Sequence, residues 1–274
     1  MTRSRWLIIL LAPVALFALF YLFAVVIVAS DDRSFAALDP ALIQPRDIAI
    51  FGASGTAGDG ILKAALADPD VRRIQLFTRR STPRIEQGVA AGKVIMTQHM
   101  DYLDYSAIRQ QIADIDTVFW AIGISSVGVD EATYGRIHVD FPMAFVREWT
   151  TVSTRPDLSF HFISSSDIAE DSTTMWVREK IRAEKSLFGF AQGTKLRVVA
   201  YRPDYIGPTA EQAHLGQNLM YWFFRPVGAA VRATEIGKAM LELTARGADV
   251  ENGRKVSTWA IFRYSAAYDL RQGP

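Results

Sequence analysis

Gly52, Gly55 and Gly58 stand three residues apart in the segment Gly52-Ala53-Ser54-Gly55-Thr56-Ala57-Gly58. The apolar run Asp47-Ile48-Ala49-Ile50-Phe51 precedes them, and the helical pattern GDGILKAALA at 58–67 follows. Each glycine in a strand–turn–helix of this kind has a separate physical task. Gly52 makes the tight turn, Gly55 removes a side chain so that a pyrophosphate reaches the backbone, and Gly58 lets the helix pack on the sheet. The helix N-terminus then offers free N–H groups and a partial positive charge to the phosphates. The whole turn, Ser54, Thr56 and Ala57 included, is thus a candidate loop for the diphosphate of a dinucleotide. The plain alternative is a structural turn.

A second position chooses between dinucleotides. An Asp or Glu about 20 residues further on, at the end of the next strand, usually holds a ribose that lacks a 2′-phosphate. Here that place carries Thr78-Arg79-Arg80. A carboxylate would repel a phosphate, whereas the Arg79 guanidinium forms a bidentate fork with it. The pattern favours NADP over NAD, against the alternative that both arginines are solvated surface charge.

These residues need a scaffold, and the chain supplies a regular one. Short apolar runs predict strands at 47–51, 74–78, 94–97, 117–122, 160–164 and 196–201. Helical stretches at 58–67, 105–113, 134–150 and 175–188 separate most of them, with Pro142 as a kink. Strands apolar on both faces and spaced by helices predict an α/β fold, a doubly wound parallel sheet of the Rossmann kind. From about residue 207 the pattern changes to a loop at 207–217, the aromatic run Tyr221-Trp222-Phe223-Phe224 and a helix at 234–245, read as a small C-terminal lobe. The aromatic run has three readings: lobe core, the mouth of a substrate site, or a bilayer contact.

The N-terminus is of another kind. Trp6 to Ala29 is a run of 24 residues without charge, long enough as a helix to cross a hydrocarbon core of about 30 Å. Residues 1–30 read as a membrane anchor, with Trp6 at an interface; a secretory signal peptide is the alternative. Residues 31–45, with Pro40 and Pro45, read as a linker, and 46–274 as the folded domain. Arg3 and Arg5 would keep the N-terminus cytoplasmic and send the domain across. The abundance of nicotinamide cofactors inside cells argues the other way, so the sequence leaves the side open.

Composition removes other classes. The absence of cysteine excludes disulfides, thiolate zinc sites, iron–sulfur clusters and cysteine nucleophiles. A net charge of +1 gives no sign of nucleic acid as a partner. His99, His138, His161 and His214 show no metal-ligand spacing and read as structural or surface residues. No Gly-x-Ser-x-Gly elbow is present.

Over residues 46–270 the chain resembles the atypical short-chain dehydrogenase/reductase superfamily, in particular its NmrA-like and Tat-interacting-protein-like NAD(P)-binding oxidoreductases. The resemblance rests on GASGTAG at 52–58, TRR at 78–80, VFWAIG at 118–123, FISSS at 162–166, Lys180 within WVREKIRAEK, and YRPDYIGP at 201–208. It implies that Asp101 and Tyr102 border the adenine. It implies likewise that Ala121, Ile122 and Gly123 pass beside the adenosine ribose and phosphates, and that the stretch from Pro203 to Ile206 borders the nicotinamide. Ser164 and Ser165 fall where the family places its active-site serine, and Lys180 matches the lysine that holds the ribose.

One departure bears on chemistry. The superfamily works with a Tyr-x-x-x-Lys pair, in which lysine lowers the phenol pKa for proton exchange during hydride transfer. This chain reads Trp176-Val177-Arg178-Glu179-Lys180. An indole N–H is no acid near neutral pH. Tyr134 and Tyr205 are the conceivable substitutes. Two functions follow from the resemblance: a membrane-anchored NADPH-dependent oxidoreductase acting on an apolar carbonyl compound through Ser165 and Lys180, or a non-catalytic NADP-binding sensor or scaffold that signals to a protein partner.

Overall fold

The computed structural model describes residues 3–31, 34–36, 38–39, 43 and 46–273. Pro40 and Pro45 of the linker, with Asp32 and Arg33, lie outside the described residues, as do the side chains of residues 3–10, Trp6 among them. The strands are β1 (Arg46–Phe51), β2 (Val71–Thr78), β3 (Val94–Gln98), β4 (Thr117–Trp120), β5 (Leu158–Ile163), β6 (Leu196–Arg202), β7 (Tyr205–Gly207), β8 (Ala230–Arg232) and β9 (Arg254–Ser257). The helices are α1 (Arg3–Ser30), α2 (Thr56–Ala67), α3 (Pro83–Ala90), α4 (Arg109–Ala113), α5 (Glu131–Gly135), α6 (Phe141–Val152), α7 (Met175–Ala191), α8 (Leu215–Phe224), α9 (Ala233–Arg246) and α10 (Thr258–Gln272).

Seven strands form one sheet in the order β3-β2-β1-β4-β5-β6-β9, and each neighbouring pair runs parallel. The order reverses between β1 and β4, the switch point where such sheets open a crevice at their carboxyl ends. The strands are apolar on both faces because both are covered. On β1, Ile48 and Ile50 join the core shared with α2, α9 and α10, while Ala49 and Phe51 join the opposite core with Trp120, Phe145, Trp149 and Phe160. Helices α2 and α9 pack closely: a Cβ on Gly237 would come within 2.8 Å of the Ala64 Cβ and the Ile61 Cα.

The expected elements from 47 to 201 are present with shifted ends. β4 stops at Trp120, and Ala121 and Ile122 turn out of the sheet. The stretch 105–113 is a 3₁₀ turn at Ser106–Ile108 leading into the short α4. The long helix expected at 134–150 begins at Glu131 and passes through a π-helical segment, Arg136–Asp140, directly before Pro142. That widened turn is the distortion associated with the proline.

The last 70 residues do two things. β7 and β8 form a small parallel pair beside α8. The remainder completes the main domain, with β9 as its seventh strand and α9 and α10 on its flank. A buried ion cluster ties α10 back to the start of β2: Arg271 Nε is 3.0 Å from the Glu242 carboxylate, and its terminal nitrogens are 2.7 Å from Asp70 and 3.8 Å from Asp68.

The N-terminal helix contains a stretch, Leu11–Ser30, long and apolar enough to cross a membrane. Its last third lies against the domain. Tyr21 Oη donates to the Phe223 carbonyl at 2.8 Å, and Asp31 pairs with Arg263 at 3.2 Å.

Candidate active site

The β1–α2 turn is shaped by its neighbours. Gly52 has φ +81°, and a Cβ there would lie 2.6 Å from the Ala121 carbonyl carbon. The turn therefore packs on the backbone that leaves β4, and only glycine fits. A Cβ on Gly58 would collide with the Gly52 carbonyl, so Gly58 sets how closely α2 approaches the turn. Gly55 is the exposed member and the N-cap of α2. Having no side chain, it leaves the first N–H groups of the helix open to a ligand.

A cleft of about 610 Å³ lies in front of this turn. Gly55, Thr56 and Ala57 line one wall, continued by Ala121, Ile122 and Gly123. Ser164, Ser165, Trp176 and Lys180 line the facing wall, and Tyr134, His138, Tyr205 and Gln217 complete it. Segments more than 100 residues apart in sequence thus meet at the switch point.

The facing wall is electrostatically tuned. Lys180 Nζ is 3.1 Å from His138 Nδ1 and donates to the Ile163 carbonyl at 3.2 Å. Burial drives the lysine from its usual range down to about 8. Burial, with the adjacent Lys180 charge, lowers His138 to about 3, so its ring is neutral. His138 Nε2 lies 3.3 Å from both the N–H and the carbonyl of Ile124, and a neutral ring that accepts from Lys180 at Nδ1 carries its hydrogen on Nε2, the tautomer that donates to the carbonyl. The Tyr134 ring lies tilted with its centroid 4.1 Å from that of His138, and burial with the Glu179 charge pushes its phenol up to about 12. An ammonium has three hydrogens, and these contacts occupy two of Lys180's. Among the described residues, Lys180 is the group lining the cleft whose pKa is moved closest to neutrality.

The two serines differ. Ser164 Oγ donates to Glu184 at 2.7 Å, and Glu184 is in turn paired with Arg202 at 2.5 Å, a buried structural network. Ser165 has no such side-chain tie among the described residues and is the hydroxyl left for a ligand. Trp176 stands one helical turn before Lys180 on α7 and faces the same cleft.

Other sequence candidates lie outside this lining. Gly52 and Gly58 shape the turn from behind, and Ser54 is half-buried within it. Arg79 is exposed just past β2, beside the turn's strand, and no ion pair engages its side chain among the described residues. Asp101 is exposed and caps its own loop by accepting from the Leu103 N–H at 2.9 Å. The Tyr102 ring is buried against Phe51, Trp120 and Phe141. Pro203 is buried and its carbonyl accepts from the Ser166 N–H at 3.3 Å, which holds the β5 and β6 ends together. His138 is the site residue that sequence reasoning set aside; the pattern that points to it is its four-residue spacing from Tyr134 on one helical face. His161, by contrast, sits in the core, hydrogen-bonded to Ser159 at 2.7 Å and Tyr201 at 2.9 Å.

Comparison with known proteins places this architecture. No family model matches the chain, and no curated protein matches it in sequence. Solved structures do match. A short-chain dehydrogenase/reductase from Saccharomyces cerevisiae is 14% identical with TM-score 0.61, covering 78% of this chain and 96% of that one. An oxidoreductase of the short-chain dehydrogenase/reductase family from Burkholderia thailandensis is 16% identical with TM-score 0.63, covering 78% and 91%. BdcA, solved in complex with NADPH, is 14% identical with TM-score 0.58, covering 79% and 93%. The chain therefore has the fold of short-chain dehydrogenase/reductases.

Proposed function

We propose that this protein is a membrane-anchored, NADP(H)-binding oxidoreductase of the atypical, NmrA-like branch of the short-chain dehydrogenase/reductases. The observation that carries the reading is the shared cleft, where the uncapped start of α2 faces Ser165 and Lys180 across a single cavity. The residues fit a dinucleotide. The glycine turn and Ala121–Gly123 would hold the pyrophosphate and adenosine ribose, Arg79 the 2′-phosphate, and Lys180 with Ser165 the nicotinamide end. NADP(H) supplies or accepts a hydride when bound; the chain must handle the proton.

Trp176 removes the usual phenol, and the environment of Lys180 offers a replacement. His138 and the Ile163 carbonyl fix the lysine side chain and leave one N–H for the cleft. With its pKa near 8, Lys180 Nζ is charged at neutral pH and gives up a proton far more readily than an ordinary lysine. In this reading Lys180 donates a proton to the oxygen of an apolar carbonyl substrate, and Ser165 donates a hydrogen bond to the same oxygen. The experiment is titration of the full chain, in phosphatidylcholine nanodiscs, with NADPH and NADH, followed by NADPH oxidation across a carbonyl panel. Tight NADPH binding with turnover that disappears in Lys180→Met supports the proposal. Absence of NADPH binding overturns it.

Trp176 favours a second reading. Binding retained while the phenol is lost is what a sensor or scaffold for NADP needs, since a ligand shifts a conformational equilibrium without turnover. Tight NADPH binding with no turnover across the panel selects this reading.

A further inference from the structure

Helix α8 has an unusual surface. Its sequence, LGQNLMYWFF, carries no charge, and Leu215, Leu219, Trp222 and Phe223 are 89, 68, 64 and 45% exposed. These positions fall at i, i+4, i+7 and i+8, one continuous face. The opposite face packs on the domain, and Gln217 on it lines the cleft. Tyr221 is buried under Gly207 with the Arg232 guanidinium 3.6 Å above its ring, and the Gln217 carbonyl accepts from Tyr205 Oη at 3.2 Å. The exposed face is thus not a misassigned core.

The occupant of that face is indicated by the neighbouring helix. Tyr21 of α1 packs tilted on Phe223 with ring centroids 5.4 Å apart, and Val28 lies against Gly228. Along α1 the partly covered residues are Tyr21, Ala24, Val25 and Val28, while Leu22, Phe23, Val26 and Ile27 remain 47–65% exposed. The uncharged run from Trp6 to Ala29 has 24 residues, and a hydrocarbon core takes about 20. Whichever 20 are chosen, Tyr21 is inside, roughly 6–12 Å below the nearer edge for an upright helix. Phe223 is held at the level of Tyr21, and that depth matches the roughly 5–10 Å at which interfacial helices sit.

We propose that α8 is a second membrane contact, lying in the lipid interface beside α1 with Leu215, Leu219, Trp222 and Phe223 immersed. The inference rests on reading α1 as an anchor. It makes one helix both a wall of the cleft and part of the lipid-facing surface, which brings the cleft to the bilayer.

The chain has no cysteine, so a single introduced thiol is labelled uniquely. The test uses full-length Leu219→Cys, Leu16→Cys on α1 and Ile95→Cys on the far edge strand β3, each carrying a nitrobenzoxadiazole fluorophore. Each is placed in single-copy phosphatidylcholine nanodiscs with or without brominated acyl chains, and iodide serves as the aqueous quencher. The labels at 16 and 219 are expected to lose several-fold intensity to brominated lipid and to resist iodide, with the reverse at 95. Trp222→Cys is expected to repeat the result at 219 and guards against a local folding fault. A label at 219 that behaves like 95 while 16 is lipid-quenched overturns the proposal and leaves the anchor standing. A label at 16 open to iodide overturns both. Protection at 219 that appears only in discs holding two copies overturns it in favour of self-association.

Discussion

The two walls of the cleft are made of different material. The wall from the glycine turn to Gly123 is backbone, and its lining holds no ionisable side chain. The opposite wall is made of side chains, Ser165, Lys180, His138 and Tyr134, delivered by separate elements and tuned by burial. A backbone wall recognises by shape and fixed dipoles, so it responds to bulk and hardly to pH. A side-chain wall responds to protons, and its chemistry can be replaced while the first wall stays intact. In the proposed reading, Trp176 in place of a phenol beside an intact glycine turn is an instance of that independence.

The strongest way to break this contrast is Gly55→Trp. A Cβ at Gly55 makes only an ordinary contact, 3.5 Å from the Gly52 carbonyl, so the fold tolerates the change. The indole is expected to fill the diphosphate site and weaken NADPH binding by on the order of a thousandfold. Fluorescence titration reads the loss, and an unchanged melting temperature shows that the wall, rather than the fold, was hit.

The second test concerns protons. Lys180 has a folded pKa near 8 against 10.5 when unfolded, so between those values the unfolded chain holds the extra proton. Stability is expected to rise across this window by up to about 3 kcal/mol, an increment that Lys180→Met lacks. His138 acts at the other end. Its ring, neutral down to about 3 when folded, costs stability as pH falls below about 6.5 because the unfolded ring takes a proton. Denaturant midpoints from pH 4 to 10.5, compared with the variants, check both signs.

Trp176→Tyr sharpens the comparison by restoring a phenol one turn from Lys180. NADPH oxidation with a carbonyl panel is expected to rise about a hundredfold, at the low end of general-acid effects, with NADPH affinity unchanged. No gain in rate would mean that this wall is not arranged for proton transfer. The smallest effect belongs to Arg79→Ala, which is expected to weaken NADPH binding about tenfold and leave NADH alone, since its guanidinium is exposed. Equal losses for both cofactors would remove Arg79 from the choice between them.

The same contrast explains what could be read from the residues alone. The glycine turn is legible because its geometry is local: three glycines at fixed spacing between an apolar run and a helix require that shape. The buried strands were legible for the same reason. The apolar run at 117–122 overshoots because Ala121 and Ile122 line the cleft instead of joining the sheet. β9 went unseen because Arg254-Lys255-Val256-Ser257 buries only Val256 and has no apolar run to betray it. His138 was set aside because its meaning depends on Lys180, 42 residues away, and on a π-helical segment that no periodicity announces. The face of α8 is visible as an aromatic run, but the contact with Tyr21 on which the proposed lipid contact rests joins residues 202 positions apart.

The cluster around Arg271 carries a last consequence, for synthesis. Asp68 and Asp70 sit at the entry to β2, made early, yet the guanidinium that neutralises them beside Glu242 is made some 200 residues later. Until it leaves the ribosome, Glu242 has Arg246 at 2.7 Å as a partner, whereas Asp68 and Asp70 lack the guanidinium that α10 brings. The nascent domain is therefore expected to stay open on its α9 flank until α10 has been made, and Arg271→Ala to lower the yield of folded protein more than its place far from the cleft would imply.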